Sequence, residues 1–356
     1  MPSTEIVTIV VGGVPYTGWK SMSVKMGAKS PERSFQITGA LGADGVAAAI
    51  LSIEAGAPCV LMSNGDVLCV GRVHEVEIEL GPESHGIRLS GKSRGADAIK
   101  SSVDHDKHEF EQKDPLTIAQ EIDKSGIGYK ATVPLDKIPK ARANVGDTQA
   151  KFLTKLLQKQ NVWLCADKDG GIKMTQHCEE THAGGIVEGM NFMQGTAKFS
   201  VEDRMQNYKV KHHQPKGSKE KNFRGETIVT DPQGRPGTSK VIVPKTPLTK
   251  GEAQKLGKHV KGNRQGDSVS LNCTLQGFRD EAGRIWEPGN LVFCAVPSCL
   301  LAEELALNDV ELYQDESGTG SVARLVLVHP SAFGKEAGKA GQKVKSQSIK
   351  GGWKSK

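Results

Sequence analysis

The sequence predicts a mainly β chain with an α/β insert between two β-rich regions. Three observations carry that expectation. Short alternating segments bounded by turn residues fill the first hundred positions and return after residue 186. Helix caps followed by apolar stripes are concentrated in a middle stretch. The composition, with 41 Gly and 16 Pro against 37% hydrophobic and 5% aromatic residues, fits many turns and small cores better than one large globule. At 356 residues the chain has room for two or three such cores. The expected divisions are a first β-domain over 1–99, an α/β domain over 100–185, and a second β-domain over 186–333 with an insertion at about 215–265. A basic tail, 334–356, is expected to be disordered on its own.

In the first region, Ile6 to Val11 is a β-branched run closed by Gly12-Gly13, a hairpin stop. Alternation over Ser21–Met26 and Phe35–Thr38 gives two more strands. Val60–Met62 and Val67–Val70 flank Ser63-Asn64-Gly65-Asp66, and Asn-Gly accepts the positive φ angles of a type I′ turn. Glu75 to Leu80 sets Val76, Ile78 and Leu80 against three glutamates, and Ile87 to Ser90 alternates with Arg88 outward. Such spacing suits a small barrel or sandwich.

The period changes after residue 100. Asp114-Pro115 reads as a helix cap with Pro at the first helical position, and Leu116, Ala119 and Ile122 follow at helical spacing. A second helix is expected from a cap at Asp147, with Phe152, Leu153, Leu156 and Leu157 as its apolar stripe. Val162–Cys165 and Ile172–Met174 flank an Asp-Gly turn and form a hairpin.

Beyond residue 186, Phe199 to Lys211 reads as strand and entry loop, and Lys216 to Lys240, rich in Lys, Gly, Pro and Ser, as a mobile loop or insertion. Thr249 with Glu252 forms a capping box before a further helix. Ser268 to Gln276 alternates cleanly, Asp280–Gly283 and Pro288-Gly289 are turns, and Leu291 to Val296 is apolar on both faces. This stretch reads as a long β-arm whose polar tip carries Trp286. Val310–Tyr313 and Val322–Val328 complete a last hairpin, with Gly318-x-Gly320 as its turn.

Chemistry is sparse. Gly86 to Ser93 spells the phosphate-loop pattern G-x-x-x-x-G-K-S, but its intervening residues alternate like a strand, where a nucleotide needs a flexible loop of convergent N–H groups. Asp104, His105, Asp106 and His108, then His177, Cys178 and His182, then Asp167 with Asp169 cluster without the ligand set of a zinc or calcium site, and are expected to be polar loop residues. No metal, cofactor or catalytic residue is therefore assigned. Seven cysteines form no regular framework; Cys59, Cys69, Cys273 and Cys294 lie in strand-like runs and read as buried free thiols of a reducing compartment. Met1 leads into Pro-Ser-Thr-Glu and a strand without the basic and apolar regions of a signal peptide, and no run approaches 18 apolar residues. The net charge of +6 comes from the tail, where Lys335 to Lys356 holds seven lysines against Glu336.

A resemblance enters on many weak motifs. They are Gly18-Trp19 with Ser34-Phe35; Gly71 with Val73 and Val76; Gly91-Lys92-Ser93-Arg94 with Asp97; Gly146-Asp147-Thr148 leading into Phe152-Leu153-Leu156, then Asp169-Gly170; and Gly277-Phe278-Arg279, Gly283, Trp286 and Val328-His329-Pro330. Over roughly residues 5 to 333 the chain resembles the tail hub (gpP-like) baseplate proteins of Mu-like contractile-tail phages, related to the hub part of type VI secretion spike proteins. That family more often carries arginine in place of Lys92, which favours reading the phosphate-loop match as chance. The resemblance marks Trp19, Phe35, Gly71, Gly91, Arg94, Asp97, Gly146, Asp147, Gly277 and Trp286 as structural motif residues. It implies two small antiparallel β-barrel domains per subunit, in a homotrimer that forms a pseudo-sixfold ring between the hexameric tail tube and the trimeric spike. The implied place is the virion tail baseplate, after synthesis in the host cytoplasm, with other baseplate proteins or the tape measure protein as further neighbours. Two other classes are a tail-carried cell-wall hydrolase, which needs paired carboxylates or a metal set, and a basic nucleic-acid binder, which needs an aromatic-basic platform.

Overall fold

A computed structural model of the chain describes residues 5–40, 53–81, 85–213, 224–244, 248–315 and 320–335. The basic tail beyond Lys335, Gly318 and residues 214–223 lie outside the described residues.

The first region holds β1 (Val7–Val11), β2 (Val14–Tyr16), β3 (Ser21–Gly27), β4 (Ser34–Ala40), β5 (Pro58–Ser63), β6 (Asp66–Leu80) and β7 (His85–Ser93). The middle holds α1 (Gly95–Lys100), β8 (Glu109–Lys113), α2 (Pro115–Ile122), β9 (Tyr129–Ala131), β10 (Ile138–Arg142), α3 (Gln149–Leu157), β11 (Trp163–Ala166) and β12 (Ile172–Thr175). The last region runs through β13 (Ile186–Val187), β14 (Phe192–Phe199), β15 (Met205–His213), β16 (Arg224–Thr230), β17 (Arg235–Ile242), α4 (Lys250–Gly266), β18 (Val269–Gln276), β19 (Leu291–Val296), β20 (Leu301–Asp315) and β21 (Gly320–Val328). The chain is thus mainly β with an α/β insert, as its alternation implied.

The local signals act where the sequence places them. The β5–β6 hairpin closes on Asn64 and Gly65 at φ +48° and +88°, with Ser63 opposite Asp66. Asp114 accepts hydrogen bonds from the Leu116 and Thr117 amides at the start of α2, and Thr249 with Glu252 completes a capping box on α4. At α3 the cap is Thr148, not Asp147: the Thr148 hydroxyl accepts from the Lys151 amide, while the Asp147 carboxylate turns to the Lys151 and Lys155 ammonium groups. Two adjacent polar residues compete for a cap, and the shorter hydroxyl reaches the helix while two lysines hold the carboxylate.

Two further expectations are corrected. The segment expected as a mobile loop contributes β16 and β17, which flank β15 antiparallel and parallel in a three-stranded sheet. That sheet is covered by α4, whose Gly257 lies so close to it that an added Cβ would sit 2.7 Å from Val229. The expected β-arm is no hairpin: β18 pairs with β14 and β21, whereas β19 pairs with β13 and β20. Trp286 is 1% exposed inside the core and not at a polar tip, because its segment folds back and its amide donates to the Phe278 carbonyl at 3.0 Å.

Thirteen strands form one sheet along the path β14-β18-β21-β20-β3-β4-β7-β6-β5-β1-β2, with β13 and β19 joining beside β20. Its first and last regions share one apolar core, including Ile9, Val24, Ile37 and Leu89 from one and Leu271, Trp286, Leu312 and Leu325 from the other. They meet where β3 pairs with β20.

Each region repeats the other at the level of register. In the first, Thr38 faces Arg88, which faces Glu77; in the last, Thr274 faces Arg324, which faces Glu311. Both Arg–Glu pairs are ion pairs, at 2.9 and 3.3 Å. Both long strands are interrupted by a bulge at the same step, between Val73 and Glu75 in β6 and between Leu307 and Asp309 in β20. By the same alignment β14 on β18 corresponds to β3 on β4, with Lys198 opposite Ser270 where Lys25 is opposite Ser34.

The middle region has its own core, built by Phe110, Ile118, Phe152, Leu153, Leu157 and Ile172 among others. A smaller cluster, with Ala28, Trp163, Cys178, Leu291, Ala306 and Phe333, joins it to the sheet.

Candidate assembly surface

The phosphate-loop pattern lies wholly within β7 and pairs on both sides, with β4 and β6. Its backbone N–H groups face sheet partners, so they cannot curl around a phosphate, and Lys92 is held by Glu32 at 2.9 Å. Its Gly91 serves packing: a Cβ there would run into the Phe35 ring, as one on Gly71 of the neighbouring β6 would run into the Lys92 carbonyl.

The remaining motif residues are scattered and do not converge. Trp19 is buried, and its indole N–H donates to the Tyr16 carbonyl at 3.3 Å. Arg94 donates to the Asp169 carbonyl at 3.2 Å and so links α1 to the turn between β11 and β12. Asp97 lies in the first turn of α1, and Gly146 and Gly277 take positive φ at the turn before α3 and the end of β18. The two lysines and Asn144 that grip Asp147 hold its carboxyl well below the usual carboxylate range.

Of the metal candidates, Asp104 pairs with Lys124, and Asp167 and Asp169 share Lys130. Among the described residues no group of three or more potential ligands converges. His177, Cys178 and His182 lie in the connection between β12 and β13, as expected of loop residues, but are buried there. His177 sends Nε2 to the Ala28 carbonyl at 2.7 Å, and burial lowers its pKa to about 4.

His182 and Asp280 most resemble a catalytic pair, with Nδ1 and Oδ2 3.0 Å apart. Nε2 accepts from the Glu287 amide at 3.2 Å, which assigns the proton to Nδ1 and leaves no free nitrogen for a substrate. Burial would raise the Asp280 pKa, but hydrogen bonds from His182, the Arg284 and Ala183 amides and the Arg284 side chain outweigh it and the net direction is down. Five buried thiols are not poised as nucleophiles: burial pushes Cys59, Cys69, Cys165, Cys178 and Cys273 up to about 12.

What this chemistry does is lock the two β regions together. Arg279, at the end of β18, reaches Glu5 at 2.8 Å and Asp66 at 2.5 Å; Arg33, before β4, reaches Glu287 at 2.8 Å. Glu5 and the Arg33 side chain are almost wholly buried. Sequence reasoning singled out none of these as a lock, although Arg279 falls in a quoted motif. A lone charge beside an apolar run was the available signal, and it does not name its partner.

A groove of about 810 Å³ runs over β14, β18, β21, β20 and β3 and is lined by Lys25, Glu311, Arg324 and Asp309 among strand residues. It is crossed by Lys25–Glu311 at 3.6 Å and Arg324–Glu311 at 3.3 Å, a charge ladder along the sheet and not a reactive cleft. On two strand edges that lack a neighbour among the described residues, those of β6 beyond its pairing with β5 and of β14, apolar groups are exposed: Ile78 of β6 at 44%, and Met193 and Phe199 of β14 at 54% and 51%. Among the described residues, no helix is long and apolar enough to cross a membrane.

Residues 6–93 match the family model described as Mu phage baseplate assembly protein GpP-like, N-terminal. Baseplate hub protein gp44 of Escherichia phage Mu is 20% identical over 309 residues, covering 81% of this chain and 78% of that protein. The 43 kDa tail protein of prophage MuSo2 from Shewanella oneidensis superposes with a TM-score of 0.80 at 20% identity, over 92% of this chain and 99% of that one. An E. coli type VI secretion component, described as similar to T4 bacteriophage tail proteins gp27 and gp5, gives 0.58 at 7% identity, over 92% of this chain and 78% of that one. The structural likenesses establish a shared fold.

Proposed function

From the relationship of this chain to the GpP-like baseplate proteins of Mu-like phages, we propose that it is a structural hub of a contractile phage tail. In this reading it is a homotrimeric adaptor between the hexameric tail tube and the trimeric central spike, and it catalyses no reaction. The observation that carries the reading is the repeated register within one chain. A chain holding two equivalent strand sets presents six of them when three copies close a ring, so a threefold object can meet a sixfold one. The named relatives, a baseplate hub protein and a tail protein, support the same assignment and its place in the virion. The divisions at 1–99, 100–185 and 186–333 follow this scheme, with each β region supplying one strand set.

The test is reconstitution with the tube and spike proteins of the same phage. The purified chain should co-sediment with both, with three copies for each six-membered tube ring and each spike trimer. Binding to neither overturns the reading. Peptidoglycan release by the purified chain would favour the hydrolase instead, and steeply salt-dependent DNA binding the nucleic-acid binder.

A further inference from the structure

The internal seam has two halves that reappear, without a strand partner among the described residues, on β6 and β14. Where β3 pairs with β20, Lys25 stands opposite Glu311, Met26 opposite Val310 and Val24 opposite Leu312. The four apolar residues of that seam are all buried, with no more than 3% exposure. Matching β6 to β20 through their shared bulge and their Arg–Glu pairs makes Val76, Glu77 and Ile78 the counterparts of Val310, Glu311 and Leu312. Matching β14 to β3 through their pairing with β18 and β4 makes Ala197, Lys198 and Phe199 the counterparts of Val24, Lys25 and Met26. These counterparts are not covered: Phe199 is 51% and Ile78 44% exposed, and Val76 and Ala197 are half-buried.

The edges are open as well. Among the described residues, β5 and the two residues before it bond to β6 only as far as Val73, and β14 from Gln194 to Phe199 pairs with β18 alone. An unpaired, partly apolar strand edge is a template for another chain. Here the two edges are complementary in charge, with Glu75, Glu77 and Glu79 on one and Lys198 on the other.

We propose that β6 of one copy pairs antiparallel with β14 of the next, in the register that β20 keeps with β3. Glu77 then faces Lys198, Val76 faces Phe199 and Ile78 faces Ala197. This deepens the homotrimer reading and rests on it. The contact is head-to-tail, each copy offering β6 on one side and β14 on the other, and three copies close a ring of six seams, three within chains and three between them. The repeat also dictates where water is excluded: Val76 and Phe199 fill the place that Val310 and Met26 fill inside the chain.

The experiment combines Ile78→Cys and Ala197→Cys in one full-length chain, with Ile78→Cys and Lys198→Cys as a control one residue out of register. Directly opposed residues lie about 5 Å apart at Cβ, within reach of a disulfide or a short bismaleimide, whereas the control thiol points to the other face. We expect two- and three-chain covalent species on a non-reducing gel from the first variant and loss of that ladder in the control. Ile78 is exposed and Ala197 sits half-buried at the rim of the core, where a cysteine adds a single sulfur atom, so unchanged circular dichroism should accompany the result. Independently, Ala197→Asp should shift the mass in solution from three chains to one while the fold is kept. Three-chain particles without the 78–197 bond, or an Ala197→Asp variant that stays three-chain, overturn this interface and leave the trimer standing. A wild-type monomer overturns both.

Discussion

Gly91 sets how closely β4 approaches β7, since the Phe35 ring occupies the space where a side chain would begin. Gly91→Ala should destabilise the chain by about 1–3 kcal/mol, the ordinary cost of overpacking, because the Arg72 carbonyl on the other side, 2.6 Å from an added Cβ, is backbone and cannot swing away. Gly251→Ala is the contrast: an added Cβ there meets nothing within 4 Å and lies in the first turn of α4, so stability should rise by up to about 1 kcal/mol. Chemical denaturation of the two variants checks the difference in sign. His177 makes a second prediction at this scale. Its folded pKa, lowered by burial to about 4, lies below the unfolded value of about 6.5. Between those values the unfolded chain binds a proton that the folded chain does not, so the stabilising contribution is full above 6.5 and is lost as pH falls toward 4, with a ceiling of about 3 kcal/mol. Burial lowers His259 and His329 too, in the same direction. Urea midpoints should therefore fall from pH 6.5 to 4.5, and His177→Gln should flatten part of that slope.

At the scale of elements, the ion pairs that fasten β18 and its exit loop to the first region are the sensitive points. Arg279→Ala leaves the buried Glu5 carboxylate with Ser63 and Asn64 as its side-chain donors among the described residues, and should cost about 3 kcal/mol by thermal or urea unfolding. Strands were legible wherever one face is wet and the other dry, as in β18, and helices wherever a cap precedes an apolar stripe, as in α2 and α4. β16 and β17 were not, since among the described residues their sheet is covered by α4 and leaves Ile228 and Val241 half-exposed among lysines and glycines. Period-2 burial was present there, but too shallow to stand out from loop composition. Trp286 was misplaced for a related reason: polar neighbours and two turns describe a tip equally well when the chain reverses into the core.

At the scale of the molecule, the candidate site is a set of edges and a seam, and edges have no motif. What makes Lys198, Glu77, Phe199 and Ile78 notable is their equivalence to Lys25, Glu311, Met26 and Leu312, an equivalence of register that sequence identity does not display. Conversely, the phosphate-loop spelling was conspicuous in the sequence and inert in the fold, because sheet pairing on both sides consumes the backbone groups a nucleotide would need. A chain that acts as a ring of three has a defined mass in solution, and light scattering tests this most directly: three chains per particle is the expected result, and a stable single chain across the concentration range would contradict it.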